Sequence, residues 1–300
     1  MSISRPRKIK KPTVSIVGSG RLGTALAKAL AGAHYEIEAL VARQIGHARR
    51  AAALLGSPKI ALSERDLSAL PASKIILITT PDGEILKTAE GIAALGSSPR
   101  GRTVLHTSGA LAASEVLAPL AAAGFATGSL HPLVSISEPR TGADKLHGAF
   151  YCVEGDGAAS RVARSIVRDL QGHSFHLSSS FKPLYHAAAV MASGHVTALV
   201  SLATEMLVQC GLDEKTARRV LLPLLESTVA NLSVAEPAAA LTGTFARGDL
   251  VTLRRHLQAL SNKRLTEALA AYKLLGRHSL ELAKNKIDAE TRKQILRELE

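Results

Sequence analysis

The apolar residues of this chain follow one pattern in its first half and another in its second half. Up to about residue 178, short apolar runs such as "TVSIV" and "KIILI" alternate with segments whose apolar residues recur at helical spacing. This alternation is typical of buried parallel strands joined by helices. Beyond Phe181 only helical spacing remains. We therefore predict an α/β domain with a mostly parallel, doubly wound sheet, followed by an all-α domain.

The same patterns place the domain boundaries. We predict a basic flexible tail over residues 1–12, the α/β domain over residues 13–178 and the helical domain over residues 179–300. The runs "AFYCVEG" and "HSFHL" are expected to close the sheet near residue 178. In the helical domain, Gly211 and Pro237 are predicted to interrupt helices, and Asp213 to cap the helix that follows Gly211.

A glycine motif follows the first predicted strand and opens the first predicted helix, in "TVSIVGSGRLGTALAKALAGA". Gly18 permits a tight turn, Gly20 lets backbone N–H groups approach a pyrophosphate, and Gly23 lets the helix pack on the strand. An ordinary glycine turn of another α/β protein is the alternative. We predict a dinucleotide-binding Rossmann domain. Its expected cofactor contacts in this motif are Gly18, Ser19, Gly20, Arg21, Leu22 and Gly23.

The end of the second strand indicates which dinucleotide is preferred. An NAD-preferring domain places an acid about twenty residues after the glycine motif, whereas this chain has Arg43 there. A guanidinium pairs with the 2′-phosphate of NADP, and Arg49 and Arg50 are close enough in sequence to assist. A surface arginine with the acid lost is the alternative. We predict NADP(H) over NAD(H).

Further candidate residues follow the later strands, where ligands of such sheets collect. Thr80 and Pro81 are predicted to contact the cofactor, and Ser108 to contact both the cofactor and the substrate. His131 ends the next strand and is predicted to face the substrate. The alternative for His131 is a turn histidine that bonds the backbone before Pro132.

Charge and composition exclude several other classes of function. The net charge of +12 is concentrated at the two ends, with +5 in the first twelve residues and +5 in residues 251–300. Aromatic residues make up 3% of the chain and Trp is absent, so stacking platforms for bases are not expected. The uncharged stretch from Ala187 to Thr204 contains too many polar residues for a membrane span. We predict neither a nucleic-acid partner nor a membrane partner.

The two cysteines, Cys152 and Cys210, show no spacing typical of a metal site or a disulfide framework. No apolar signal region follows the basic N-terminus. We therefore expect a cytoplasmic protein without a metal.

The stretch "FKPLYHAAAVMAS" supplies the candidate catalytic residues. Lys182 and His186 are four positions apart and share a helix face. Carbonyl reduction leaves negative charge on oxygen, so Lys182 is the first candidate to polarise the carbonyl and donate the proton, and His186 is the second. The alternatives are a solvated first-turn lysine and a core histidine. Further along, Arg247 could bind a substrate carboxylate, and Asp249 is expected to cap a helix.

Motifs along nearly the whole chain carry a resemblance: "VGSGRLG", "TTPD", "LHTSGAL", "GSLHPLVS", "FKPLYHAAAVMAS" and "LTGTFARGDLVTLRRHL". The chain resembles the bacterial Rossmann-like oxidoreductases that have a C-terminal helical domain of unknown function (DUF2520 type). That family is similar to ketopantoate reductases, prephenate dehydrogenases and β-hydroxyacid dehydrogenases. The resemblance implies a nicotinamide cofactor, and related dehydrogenases place a lysine at the start of the interdomain helix, where Lys182 stands.

These features lead to one functional expectation and two alternatives. We expect an NADPH-dependent reductase of a small 2-oxo acid, with ketopantoate as the candidate that the resemblance suggests, and a homodimer formed through the helical domain. Relatives commonly have Asn where this chain has Gly194, beside His195, which leaves open a catalytically silent NADP-binding sensor or scaffold. An imine reductase or a deazaflavin-linked reductase is the other alternative.

Overall fold

The computed structural model describes residues 11–56 and 60–300. Within these, the chain forms two compact units, the first ending at Val190 and the second spanning Met191–Glu300. The division falls later than the boundary predicted at residue 178, because the helix that begins at Lys182 belongs to the first unit as far as Val190. Most of the predicted basic tail, residues 1–10, lies outside the described residues. Lys11 pairs with Asp169 at 2.6 Å.

The first unit is built on one eight-stranded sheet. Its order is β3-β2-β1-β4-β5-β6-β7-β8, and all neighbouring strands are parallel except β6 and β7, which are antiparallel. The mostly parallel, doubly wound sheet that the sequence predicts is therefore confirmed. The strands are β1 (Thr13–Val17), β2 (Glu36–Ala42), β3 (Ile60–Ser63), β4 (Ile75–Ile78), β5 (Thr103–His106), β6 (Ala126–Pro132), β7 (Phe150–Gly155) and β8 (His173–Phe175).

Helices cover both faces of this sheet because its central strands are apolar on both faces. In β4, Ile75 and Leu77 belong to one buried cluster, while Ile76 and Ile78 belong to the other. A strand has a side-chain period of two, so a continuous apolar run requires a covering layer on each side. The helices of this unit are α1 (Arg21–Gly32), α2 (Ile45–Ala53), α3 (Ile85–Ala93), α4 (Ala113–Val116), α5 (Ala118–Ala122), α6 (Pro139–Lys145) and α7 (Gly157–Asp169).

One helix, α8 (Lys182–Ala192), crosses the division between the two units. The described residues beyond it contain helices and no strand, which confirms the predicted all-α second part. These helices are α9 (Gly194–Gln209), α10 (Glu214–Val234), α11 (Pro237–Ala240), α12 (Gly243–Arg247), α13 (Leu250–Asn262), α14 (Thr266–Leu282) and α15 (Ala289–Glu298).

The predicted helix boundaries in the second unit have the expected local chemistry. Gly211 follows α9 with φ of +97°, a conformation that favours glycine. Asp213 accepts a hydrogen bond from the Thr216 amide at 3.0 Å and so caps α10. Asp249 accepts one from the Thr252 amide at 3.0 Å and caps α13. Both capping predictions are confirmed.

The second unit leaves many apolar side chains uncovered. Val220, Leu224 and Val234 of α10 are 54%, 65% and 85% exposed, which is unusual for a helix of such composition. Among the described residues, one helical stretch, Ser179–Gln209, is long and apolar enough to cross a membrane by length and composition alone.

Candidate functional site

The turn between β1 and α1 forms one wall of a cavity of about 450 Å³, and the ends of β2 and β4 form the others. This cavity therefore lies at the carboxyl ends of three parallel strands, where ligands of doubly wound sheets bind. Its lining residues are Gly18, Ser19, Gly20, Ala42, Arg43, Gln44, His47, Glu64, Thr79, Thr80, Pro81 and Glu84.

The glycines of the β1–α1 turn give this cavity its shape. A Cβ on Gly18 would lie 2.6 Å from the Thr79 carbonyl carbon, and Gly18 has φ of +109°. A Cβ on Gly23 would lie 2.3 Å from the Gly18 carbonyl oxygen. At Gly20, by contrast, no atom comes within 4 Å of that position. Gly18 and Gly23 therefore hold the turn against its neighbours, and Gly20 leaves open space beside the helix N-terminus.

Two polar side chains in this cavity have no partner. The hydroxyls of Ser19 and Thr80 are buried and form no hydrogen bond within the part of the chain that the structure describes. Buried hydroxyls normally have a partner, so these two are suited to bind a ligand with polar atoms. The open space at Gly20 and the α1 N-terminus are suited to a phosphate group of the same ligand.

The charged residues of the cavity stand at its edge. Arg43 is exposed and forms no ion pair among the described residues, so its guanidinium is available to an anion. Arg49 and Arg50 are exposed on α2 and do not line the cavity. Of the three arginines considered from the sequence, the geometry therefore places Arg43 alone at this site.

A second cavity, of about 280 Å³, lies in the same unit and brings together residues from the loop after β5, from β6 and from α8. Three of its residues, Ser108, His131 and His186, are predicted site residues that are far apart in the sequence. Arg21 and Leu22, which the sequence assigned to the cofactor, also line this cavity and not the larger one. The full lining is Arg21, Leu22, Asp82, Thr107, Ser108, Gly109, His131, Pro132, Val134, Ile136 and His186.

Three rings meet at this cavity. The His131 and His186 ring centroids are 5.4 Å apart, with the ring planes close to perpendicular. Tyr185 packs edge-on against His131, and its hydroxyl lies 2.7 Å from His131 Nδ1. His186 Nδ1 is buried without a partner among the described residues. The cluster therefore presents imidazole nitrogens that no protein group in the described chain satisfies.

Gly109 allows this cluster to form. A Cβ at Gly109 would lie 2.5 Å from His186 Nδ1 and 2.9 Å from His131 Nε2. Both distances are too short for any side chain. Glycine at this position therefore lets both rings approach the backbone that follows β5.

Burial keeps two histidines, His131 and His106, neutral near pH 7. It lowers the pKa of His131 to about 4, and the nearby His186 and Lys182 lower it further in the same direction. It also lowers the pKa of His106, at the end of β5, to about 3. Near pH 7 these imidazoles carry a single proton each, so each is a donor at one nitrogen and an acceptor at the other.

Lys182 lies inside the protein and not on the cavity wall. Its side chain is fully buried, and Nζ donates to Ser129 Oγ at 2.8 Å and to the Ser108 carbonyl at 3.3 Å. Glu154 Oε2 is 3.6 Å from Nζ and accepts a hydrogen bond from Ser129 Oγ at 3.1 Å. Burial lowers the pKa of the Lys182 amine, and the Glu154 carboxylate opposes that shift.

The strands explain why this ion pair forms. Ser129 and His131 point to one face of β6, since Leu130 between them joins the core on the other face. In the antiparallel β6–β7 ladder, Ser129 pairs with Glu154 and His131 pairs with Cys152, so all four side chains share that face. The sequence reasoning missed Ser129 and Glu154. The polar–apolar alternation in "SLH" and "YCVE" is the signal that could have revealed them.

Ser108 contributes to the cavity mainly through the loop that it holds. Its hydroxyl donates to Asp82 Oδ2 at 2.9 Å and accepts from the Ala110 and Leu111 amides, both at 3.1 Å. This hydroxyl therefore already has three partners, and the predicted contacts of Ser108 with cofactor and substrate stay predictions.

Three residues of the sequence hypothesis lie in the second unit. Arg247 is the exposed last residue of α12, and Gly194 and His195 begin α9, where both are exposed. The structure describes them within that unit, so the substrate contact predicted for Arg247 stays a prediction. His195 forms no hydrogen bond among the described residues that would give it a structural role.

Family comparisons cover most of the chain. Residues 3–132 match the Rossmann-like domain, and residues 149–279 match the domain of unknown function DUF2520. The chain is a Rossmann-like protein with a DUF2520 domain. The resemblance found in its motifs is thereby confirmed. The DUF2520 match begins at the sheet, so this domain supplies Glu154, Lys182, Tyr185 and His186, and the Rossmann-like domain supplies His131.

Solved structures share this fold. The protein BF3122 from Bacteroides fragilis, provisionally described as an NADP oxidoreductase, is 22% identical, covers 91% of this chain and 99% of its own, and gives a TM-score of 0.73. TM1727 from Thermotoga maritima is also 22% identical, with 91% and 98% covered and a TM-score of 0.69. A reductive aminase from Aspergillus terreus, solved with NADPH and ethyl levulinate, is 17% identical, with 95% and 98% covered and a TM-score of 0.63. No curated protein matches the chain.

Proposed function

We propose that this protein is an NADPH-dependent oxidoreductase that reduces a small 2-oxo acid. The observation that carries the proposal is the second cavity, where Arg21, which has no ion pair among the described residues, and the imidazole rings of His131 and His186 line one small space. Two structural neighbours support the cofactor, because one is provisionally described as an NADP oxidoreductase and the other is a reductive aminase solved with NADPH.

The larger cavity has the features that the cofactor needs. The α1 N-terminus and the open space at Gly20 suit the pyrophosphate, and the unpartnered hydroxyls of Ser19 and Thr80 suit polar atoms of the dinucleotide. Arg43 would bind the 2′-phosphate, which distinguishes NADP from NAD. Bound NADPH would supply a hydride to the carbonyl carbon of the substrate.

Arg21 and the histidines would hold the substrate in the smaller cavity. A guanidinium binds a carboxylate through two parallel hydrogen bonds, and Arg21 forms no ion pair among the described residues. His131, neutral near pH 7, would donate a hydrogen bond to the carbonyl oxygen as negative charge develops there. The apolar side chains of Leu22, Val134 and Ile136 would keep water away from the reacting carbon.

Lys182 would act through the loop that it binds. The sequence hypothesis made Lys182 the direct proton donor, and that role stays a prediction. The geometry favours an indirect role. Nζ donates hydrogen bonds to Ser129 Oγ and to the Ser108 carbonyl, and the Lys182 side chain does not line the cavity. We propose that Lys182 holds the Ser108 loop and adds positive potential behind the histidines.

A titration and an activity panel test this function together. Calorimetric titration should show NADPH binding more tightly than NADH. A panel of 2-oxo acids that includes ketopantoate should then contain at least one that drives NADPH oxidation. Tight NADPH binding without turnover on any carbonyl or imine would instead support the sensor or scaffold alternative. Failure of both cofactors to bind would contradict the proposal.

We further propose that the active form is a homodimer joined through the second unit. The exposed apolar side chains of α10 need cover, and a second copy of the chain offers the same apolar surface in return. Light scattering after gel filtration should give twice the chain mass. Replacing Val220 and Leu224 by Ser should shift the protein towards the monomer, and an unchanged mass would contradict this interface.

A cytoplasmic location remains part of the proposal. Cys152 is a buried free thiol and Cys210 is an exposed one, which suits a reducing compartment. Cell fractionation should place the protein in the cytosolic fraction, and recovery in the membrane fraction would contradict it.

A further inference from the structure

The hydroxyl of Tyr185 forms its single described hydrogen bond with His131, and this bond has a consequence for the direction in which His131 donates. Tyr185 O and His131 Nδ1 are 2.7 Å apart, and the other ring nitrogen, Nε2, forms no hydrogen bond among the described residues. The edge of the ring that carries Nε2 faces Gly109 and the 280 Å³ cavity. The proton on this neutral ring can stand on either nitrogen, and only one choice points a donor into the cavity.

The choice follows from which atom of the pair is the better acceptor and from where the remaining hydrogen points. If His131 Nδ1 carried the proton, it would donate to the phenol oxygen, and the Tyr185 O–H would be left without an acceptor in the described chain. If Tyr185 donates instead, Nδ1 accepts and the proton stands on Nε2. Each arrangement leaves one hydrogen without an acceptor in the described chain, the Tyr185 O–H in the first and the His131 Nε2–H in the second. The second is favoured because an imidazole nitrogen is a stronger acceptor than a phenol oxygen. Its free N–H also faces the cavity, where a substrate oxygen can accept it.

Packing holds Tyr185 in the position that this bond requires. Its ring contacts Phe175 of β8 edge-on at 5.7 Å and His131 of β6 at 5.5 Å. Lys182, one helical turn earlier on α8, is anchored to Ser129 two residues before His131. The first turn of α8 therefore contacts β6 through two hydrogen bonds, Lys182 with Ser129 and Tyr185 with His131. These contacts hold the Tyr185 hydroxyl beside His131 Nδ1.

We infer that Tyr185 is a positioning residue that fixes His131 as an Nε2–H donor, and that this donor selects a carbonyl oxygen over a protonated imine. A carbonyl oxygen accepts a hydrogen bond from the His131 N–H. A protonated imine carries an N–H of its own, so two donors would face each other without an acceptor between them. The selection of a carbonyl over an imine rests on the proposed function. The protonation of His131 is a property of the protein without substrate and does not rest on it.

The direct test is ¹⁵N NMR of the histidine rings in the full-length apoprotein at pH 7.5, without any substrate. We expect wild-type His131 to show a protonated Nε2 and an unprotonated, hydrogen-bonded Nδ1. In Tyr185→Phe the Nδ1 signal should lose its hydrogen-bond shift. A proton on Nδ1 in the wild-type protein would overturn the inference, whether or not any variant folds.

The chain contains a matched control. In the second unit, His256 Nδ1 lies 2.8 Å from the Tyr272 hydroxyl, with the rings perpendicular at 5.8 Å. It is the same kind of pair, and neither residue lines either of the two cavities of the first unit. Tyr272→Phe should change the His256 signals and leave those of His131 and the turnover unchanged. If Tyr272→Phe lowered turnover as much as Tyr185→Phe, the effect would come from general destabilisation.

Kinetics then test selection of the substrate. With a 2-oxo acid that the wild type reduces, Tyr185→Phe should lower kcat roughly tenfold to a hundredfold, the usual effect of losing an orienting partner, with KM almost unchanged. The wild type should reduce the 2-oxo acid faster than a cyclic imine of similar size. Faster reduction of the imine would overturn the selection. If nothing is reduced, the proposed function fails, while the NMR result still decides the role of Tyr185.

Discussion

The two cavities of the first unit are made of different parts. The 450 Å³ cavity is shaped by glycine backbone and by hydroxyls of one turn, with Arg43 at its edge. The 280 Å³ cavity is shaped by side chains from β6 and α8, which buried polar contacts hold in place. We therefore expect variants of the first cavity to change the affinity for the cofactor, and variants of the second to change the rate or the stability.

The largest expected effect is on the rate. Replacing His131 by Asn removes the proposed donor to the carbonyl oxygen and should lower kcat by roughly 10²–10⁴-fold, while the Kd for NADPH stays unchanged. Steady-state kinetics and calorimetric titration measure the two quantities. His256→Asn is the control, since His256 also pairs with a tyrosine. A weaker NADPH affinity in His131→Asn would contradict the assignment of cofactor binding to the first cavity alone.

The buried ion pair behind the second cavity should affect stability most. Lys182→Ala leaves Glu154 buried without its counter-charge and should lower the free energy of unfolding by about 3–5 kcal/mol. Urea denaturation measures this. The exposed pair of Lys284 with Glu281 provides the control, and Lys284→Ala should cost less than about 1 kcal/mol. Equal losses of unfolding free energy in the two variants would show that the buried Lys182–Glu154 pair stabilises the protein no more than an exposed pair does.

The neutral histidines predict a pH dependence of stability. His106 and His131 have folded-state pKa values of about 3 and about 4, below the value of about 6.5 in an unfolded chain. Below pH 6.5 the unfolded state therefore binds more protons, and the free energy of unfolding falls as the pH decreases towards 4. His131 alone contributes about 2–3 kcal/mol to this fall. Urea midpoints between pH 7.5 and pH 5 should show a smaller slope in His131→Asn, and an identical slope would contradict a neutral His131.

The smallest effect is expected at the cofactor cavity. Arg43→Ala removes the proposed partner of the 2′-phosphate and should weaken NADPH binding by about 10- to 100-fold, with the Kd for NADH and the kcat at saturating NADPH almost unchanged. Arg49→Ala, on the neighbouring helix α2, should leave both affinities unchanged. An equal loss for NADPH and NADH would place Arg43 elsewhere on the cofactor.

The sequence predicted the fold well because the period of its apolar residues differs between the two halves. It missed β3, which is four residues long and follows residues 57–59, outside the described part of the chain. The glycine turn could also be predicted, since its residues are neighbours in the sequence and their backbone geometry follows from residue type. Arg21 belongs to the same motif, yet the direction of its side chain from the first turn of α1 is not set by the motif.

The second cavity could be predicted only in part. Ser108, His131 and His186 were found from strand ends and helix spacing, and the structure brings them together. Lys182 shares a helix face with His186, but its direction is decided by Ser129 and Glu154 on the antiparallel pair β6–β7. That pairing depends on a register between distant segments, which local sequence patterns do not specify. The hydrogen bond of Tyr185 could not be predicted either, because its partner His131 lies on a strand that is distant in the sequence.

The central claim is that one cavity binds NADPH and the other carries out the reaction. It is tested most directly by measuring NADPH binding and NADPH oxidation for the wild type and His131→Asn side by side, with the 2-oxo acid panel. The account predicts equal binding of one NADPH per chain in both proteins and substrate-dependent oxidation in the wild type alone. Equal oxidation rates in the two proteins, or no binding of NADPH to either, would contradict it.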